Sequence, residues 1–459
     1  MTLSGYPRQV SKLIRLLIAA SAALSLLVVG SVPAQGDTCT PIKKELAAAK
    51  LGRLYAYAVD ITTGKVLVNV RSNQQTASAS VMKTITAAAA IKFIIKPRQV
   101  AAALPYRATT SVLTIPEEPG TLVLRGGGDH TLSRVGASSY TTYYLPGAHP
   151  AKLRILASEA LAALPVGTVI TKIVLDDTFF KGPTWNPNWL AYSRTNGDIS
   201  PITGLMADAG RVNPDLTDKA YSGVRVLDPT AQVGRFFKTR LGAAAKDAKV
   251  VKGITPATAI VLVSKESQPI ENWIRHALRI SDNSETEVIA RHTELAMGLP
   301  NNYKSVQRMG QRLFASIGVD YKKLVMKDAS GLASTNRVTP KLLVALMSAA
   351  ANPESDIAQL PELMATSGDG GTLGGRFLNY NKATKRYDLV IPNGSIRAKT
   401  GYIGSVYSLA GLVTTADAHK IAFAIFAASD KKSGRVVGVG TKTAIDDVVK
   451  KLYVCGSTL

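Results

Sequence analysis

The stretch "ASVMKTI", residues 79–85, places Ser80 three positions before Lys83. It opens an alanine-rich run, "VMKTITAAAAIKFI", that reads as a helix. Residues i and i+3 share a helical face, so this spacing brings a hydroxyl and an amine together. Backbone N–H groups and the dipole at a helix start favour developing negative charge, and Ser80 sits near that start. Upstream, "RLYAYAVDITTGKVLVNV" (53–70) reads as a β-hairpin, with Leu54–Val59 going out, "TTGK" turning and Val66–Val70 returning. Downstream, "ENWIRHALRI" (271–280) and "SETEVIARHTELAMG" (284–298) read as helices. "SVYSLAGLVTT" (405–415) and "KIAFAIFAAS" (420–429) read as consecutive buried strands, and "TAIDDVVKKLY" (443–453) as a closing amphipathic helix. Between 97 and 268 the texture changes. Short β-like runs such as "TLVLRGGGD" and "VGTVITKIVLDDTFF" alternate with Pro, Gly and Asn. The expected fold is α/β (α+β): one domain built from 37–96 and 269–459, interrupted by a β-rich insert at 97–268 of one or two subdomains.

Bulk properties bound the function. A chain of 459 residues with 46% apolar content can bury a large core. The formal charge of +23 is spread along the sequence, with no basic arm, zinc finger or aromatic-glycine RNA motif. Such diffuse positive charge suits work on an anionic polymer or surface, including peripheral contact with a membrane, and no nucleic-acid partner is expected. Arg8, Lys12 and Arg15 precede an apolar run of about 14 residues, and small residues follow at "SVPAQ". Residues 1–36 therefore read as an export signal, too short to span a bilayer, although a retained anchor fits the same layout. Export places the chain in the periplasm or the cell wall. Cys39 and Cys455 flank the mature chain and are placed to pair in an oxidising compartment. The five histidines form no metal-ligand pattern, and no cofactor is expected. Each histidine reads as a surface or satisfied core residue.

Ser-x-x-Lys alone is a weak signal, since Ser429 and Lys432 match it among exposed charges. Two further motifs support the copy at Ser80. "SDN" occupies Ser281, Asp282 and Asn283 between two helical segments, and "KTG" occupies Lys399, Thr400 and Gly401 before a buried strand. The order SxxK, SxN, KTG resembles the penicillin-recognising serine hydrolases. A second SxN, Ser334-Thr335-Asn336, lies within "DASGLASTN", which resembles a separate Asp-Gly-Ser-Gly-Leu motif of these enzymes. Lys83 and Ser281 are 198 positions apart, far more than in a small β-lactamase. That gap, with "LRGGGDHTL", "DDTFFKGPTW" and "GDGGTLGGRF", resembles the class C penicillin-binding proteins, the D-alanyl-D-alanine carboxypeptidases/endopeptidases of peptidase family S13.

The resemblance implies roles for these residues. Ser80 attacks the carbonyl of a D-Ala-D-Ala amide, and Lys83, if neutral, is its base. Burial and the charge of Lys399 are expected to depress the Lys83 pKa. Ser281 relays the proton to the leaving amine, and Asn283 binds the substrate amide and steadies Lys83. Lys399 and Thr400 hold the terminal carboxylate. Gly401 admits a strand-like substrate to the sheet edge, and the N–H groups of Ser80 and Tyr402 form the oxyanion hole. Peptidoglycan stem peptides are the implied substrate, and β-lactams the implied covalent inhibitors. Three departures stand out. Tyr402 follows KTG where the family usually has Thr or Ser. Ala333-Ser334 stands where Ser-Arg is common. The family's acidic and aromatic partners do not align around Trp189. Two other functions fit parts of the sequence: a β-lactamase, and a wall-binding protein without catalysis. No glutamate between Asn283 and Lys399 carries an asparagine four residues on, which argues against a class A lactamase.

Overall fold

The structure is a computed structural model that describes residues 39, 42–136, 150–214, 223–381, 384–389, 391–430 and 434–459. The segment 1–36, read above as an export signal, and Lys432 lie outside these residues. In chain order the strands are β1 (Arg53–Asp60), β2 (Val66–Val70), β3 (Thr109–Thr114), β4 (Thr121–Arg125), β5 (Lys172–Asp176), β6 (Lys249–Lys252), β7 (Ile260–Glu266), β8 (Ala365–Thr366), β9 (Leu378–Asn381), β10 (Arg386–Leu389), β11 (Ile396–Ile403), β12 (Val406–Thr414) and β13 (Lys420–Ala428). The helices that matter below are α1 (Met82–Ala90), α2 (Leu153–Ala163), α3 (Pro229–Leu241), α4 (Ile270–Ile280), α5 (Asn283–Ala296), α6 (Val306–Ser316), α7 (Pro340–Ala351) and α8 (Val439–Cys455).

The larger sheet runs β2-β1-β13-β12-β11-β8 and is antiparallel throughout. Its centre explains the unbroken apolar run of β13. Ile421, Phe423 and Ile425 join a core with Val448, Val449 and Leu452 of α8. Ala422, Ala424 and Phe426 join the opposite core with α1, α4 and α7. A strand covered on both faces needs apolar residues at every position. Every residue of α1 is buried, Lys83 included. Six of its nine residues are apolar, Thr84 and Thr86 donate to the Val81 and Ala329 carbonyls, and its four consecutive alanines let neighbours close around it. This is what carries a lysine to the centre of the molecule.

All strands of the second sheet come from residues 109–266, in the order β6-β5-β4-β3-β7. The pairs β4–β5 and β5–β6 are parallel, and the rest are antiparallel. Parallel neighbours need crossover connections, and α2 and α3 lie in them, packed on the sheet. These two helices are absent from the sequence reading, which saw only the strands and loops. The signals for α3 are present nonetheless. Asp228 accepts a bond from the Ala231 N–H at 3.0 Å, and Pro229 occupies the first turn. Among the described residues no helix is long and apolar enough to cross a membrane. Cys39 and Cys455 are each disulfide-bonded.

Candidate active site

Ser80 sits in a tight turn, Ala79–Val81, that leads directly into α1. Ala79 has φ +48°, a left-handed conformation that costs free energy outside glycine. Two other segments enforce it. Gly331 packs so closely that a Cβ there would lie 1.9 Å from the Ala79 carbonyl oxygen. At Gly401 on β11 a Cβ would lie 2.9 Å from the Ser80 nitrogen and 2.2 Å from Ser408 Oγ. Glycine in the KTG motif thus lets the strand lie directly against the serine turn.

Lys83 Nζ reaches Ser80 Oγ at 2.9 Å, Asn283 Oδ1 at 2.6 Å and the Ser330 carbonyl oxygen at 2.7 Å. The Asn283 amide is oriented by its Nδ2, which donates to the Asp198 carbonyl at 2.9 Å. Both Asn283 Oδ1 and Ser330 O can only accept. A neutral amine has two N–H groups and one lone pair. With both N–H groups given to those oxygens, the lone pair is left facing the Ser80 hydroxyl. Lys83 is 1% exposed, and burial brings its pKa down from 10.5 to about 8 against the opposing pull of Asp328, Asp282 and Glu287. Lys399 is not among the causes of that shift, contrary to the expectation from sequence. The repulsion is felt at Lys399, which burial, then Lys83, then Arg376 hold well below 10.5.

Ser281 ends α4 in a left-handed conformation, φ +69°, and Asp282 caps α5 by accepting the Glu285 N–H at 2.8 Å. That turn delivers Asn283 as the first residue of α5. Lys399 is wholly buried on β11, with Nζ 2.9 Å from the Thr400 carbonyl oxygen. β8 pairs with β11 only at Arg397 and Ala398, so residues 399–403 are paired only with β12. That leaves an open sheet edge.

A cleft of about 870 Å³ joins these elements. Ser80, Ser281, Asn283, Thr400, Gly401 and Tyr402 border it, whereas Lys83 and Lys399 stand behind its wall. The structure therefore gathers all eight residues singled out from sequence around one cavity. Tyr402 is 56% exposed, its ring tilted against Tyr407 at 4.5 Å. Several residues of the site were not read from sequence. Ser330 contributes only a carbonyl, and Glu287 holds that turn by accepting the N–H groups of Ala329 and Ser330 at 3.0 and 2.9 Å. Asp328 accepts from Gly331 N, Ala333 N, Trp189 Nε1 and Asn336 Nδ2. Asn336, the decoy SxN asparagine, is thus a structural bracket for "DASGL". Arg376 borders the cleft, and its Nε donates to Asp446 Oδ1 at 2.8 Å.

Comparisons with known proteins agree with this geometry. The model of the D-Ala-D-Ala carboxypeptidase 3 (S13) family matches residues 40–224 and 218–451. The chain is similar to Carboxypeptidase DacB of Mycolicibacterium smegmatis, with 30% identity over 93% of this chain and 88% of that protein. It is also similar to a carboxypeptidase of Mycobacterium tuberculosis, with 32% identity over 94% and 88%. In fold it is similar to penicillin binding protein 4 of Haemophilus influenzae, with a TM-score of 0.68 and 17% identity over 91% of this chain and 99% of that one. The chain belongs to the D-Ala-D-Ala carboxypeptidase 3 (S13) family.

Proposed function

We propose that this protein is a serine D-Ala-D-Ala carboxypeptidase of peptidoglycan stem peptides that works through an acyl-enzyme on Ser80. One observation carries the reading: Lys83 Nζ is held by two obligate acceptors, Asn283 Oδ1 and Ser330 O, with Ser80 Oγ as its third neighbour. The neutral amine takes the Ser80 proton as Oγ attacks the penultimate D-Ala carbonyl. The oxyanion forms against the Ser80 and Tyr402 N–H groups. Ser281 passes the proton to the leaving D-Ala amine, and the C–N bond breaks to leave an ester on Ser80. Water then attacks the ester, again with Lys83 as base, and releases the shortened peptide. The Lys399 ammonium and the Thr400 hydroxyl hold the terminal carboxylate. The open edge at residues 399–403 takes the peptide in extended form.

The same chemistry opens a cross-link when the leaving amine belongs to another stem peptide. A β-lactam presents a similar carbonyl and carboxylate and acylates Ser80 without a diffusible leaving group. The proposal includes export through the 1–36 segment and an insert spanning 97–268. The test is product analysis of pentapeptide and cross-linked muropeptides with wild type and Ser80→Ala, alongside intact mass after penicillin. The reading expects D-Ala release and a single adduct from wild type alone. Equal D-Ala release by both proteins would sink it.

A further inference from the structure

Three of the five histidines meet in one buried cluster. His130 follows β4, while His276 lies on α4 and His292 on α5, and all are buried. The His130 and His292 rings both pack on Trp273, at 4.8 and 5.6 Å between centroids. Glu285 binds two of the three. His130 Nε2 donates to its Oε1 at 3.0 Å, and His276 Nδ1 donates to its Oε2 at 2.6 Å. Burial works to raise the Glu285 pKa, but His276 and His130 outweigh it and hold the carboxylate ionised. His292 does not touch Glu285. Its ring nitrogens bond to the Tyr106 hydroxyl and the Gly128 carbonyl.

The position of this pair in the fold gives it meaning. His276 precedes Ser281 on α4, and Glu285 follows Asn283 in the first turn of α5. The Glu285–His276 bond therefore staples the two helices across the turn that carries Ser281 and Asn283. The backbone of Glu285 also bonds the Asp282 cap at 2.8 Å. His130 adds a third anchor from the second sheet. The groups facing this carboxylate and its cap are His130, His276, Asp282, Arg211 at 3.9 Å from Asp282, and Lys83. We propose that Glu285, clamped by His276 and His130, is a positioning residue that fixes the Ser281–Asn283 turn, and that His130 ties the second sheet to that turn. The inference rests on the acyl-enzyme reading above, because Asn283 and Ser281 matter only if Lys83 and Ser80 react.

Glu285→Gln keeps the shape and removes the charge that both imidazoles hold. His292→Gln perturbs the same cluster without touching the staple. Each variant is titrated with a fluorescent penicillin, giving the fraction of active sites and the acylation constant per active site. D-Ala release gives kcat and KM. For Glu285→Gln the expected result is a per-site acylation constant and kcat lower by about tenfold or more, with KM moved about twofold at most, since Lys399 and Thr400 lie on another element. His130→Gln is expected to lose about threefold, having cut one of the two imidazole bonds to Glu285. His292→Gln keeps the wild-type constant per active site. A purely structural role would lower the active fraction and leave the per-site constant unchanged, and that result in Glu285→Gln overturns the proposal. If wild type itself forms no adduct, the acyl-enzyme reading fails instead.

Discussion

The base assignment predicts a particular pH dependence. With a Lys83 pKa of about 8, about 9% of the amine is neutral at pH 7 and about 91% at pH 9. The saturating acylation rate should therefore rise about tenfold between those values and level off above pH 9. At the unperturbed 10.5 only about 0.03% would be neutral at pH 7, so burial is worth about 300-fold in competent enzyme at that pH. The sign is fixed by the environment: burial disfavours the ammonium, and the three nearby carboxylates only partly restore it. The same shift bears on stability. The folded protein loses this proton near pH 8 and the unfolded chain near 10.5, so the unfolded state binds more protons in between. The penalty, about 3 kcal/mol, is fully present below pH 8 and is relieved as pH climbs toward 10.5. The assay is stopped-flow acylation by a fluorescent penicillin at saturation, from pH 6 to 9.5. Lys399 is also depressed, but loss of its charge weakens carboxylate binding and is read in KM. Lys83→Arg supplies the control, since a guanidinium cannot act as base, and it should be inert throughout. A flat profile between pH 7 and 9, or a rate still climbing about tenfold per pH unit at pH 9.5, would refute Lys83 as a base with its proton lost near pH 8.

Other consequences follow from named contacts. Gly401→Ala places a methyl 2.9 Å from Ser80 N and 2.2 Å from Ser408 Oγ. It should cut acylation more than about tenfold while circular dichroism still reports a folded chain, because the strain falls on the serine turn. Tyr402→Thr removes an exposed ring and offers a hydroxyl beside Thr400. One more bond to a carboxylate should lower KM for a D-Ala-D-Ala peptide by up to about tenfold, with stability changed by less than about 1 kcal/mol. Asn336→Ala orphans the Lys327 N–H and loosens Asp328, so denaturant unfolding should show a loss of about 2–3 kcal/mol. Ser334→Ala, on the exposed neighbour, should stay within about 0.5 kcal/mol.

What was legible in the sequence divides along a physical line. The hairpin, the buried strands and α1 announce themselves because burial dictates residue type at each position, as the two-sided covering of β13 demonstrates. Ser80, Lys83, Ser281, Asn283, Lys399 and Thr400 stand out in the sequence because side-chain type and spacing would carry the proposed chemistry, whereas Gly401 and Tyr402 stand out only through the KTG motif they complete or follow. The unread parts work through backbone or through distance. Ser330 acts by its carbonyl, which any residue possesses. Glu287 acts by holding that carbonyl in place, and nothing in "SETEVIA" distinguishes it from a solvated helix glutamate. The helices α2 and α3 occupy the crossovers that parallel pairing requires, and at α3 the local start signals, Asp228 and Pro229, are present but lie among the Pro, Gly and Asn breaks of the insert. The repulsion expected at Lys83 falls on Lys399 for a related reason. Which of two neighbouring lysines bears a shared repulsion depends on what else faces each. Lys83 looks onto Asp328, Asp282 and Glu287, whereas Lys399 has Arg376 nearby. The two cations are therefore unequal by construction, and the better-compensated one is the lysine beside the hydroxyl. Its pKa then lies close enough to neutrality for one lysine to accept a proton and return it.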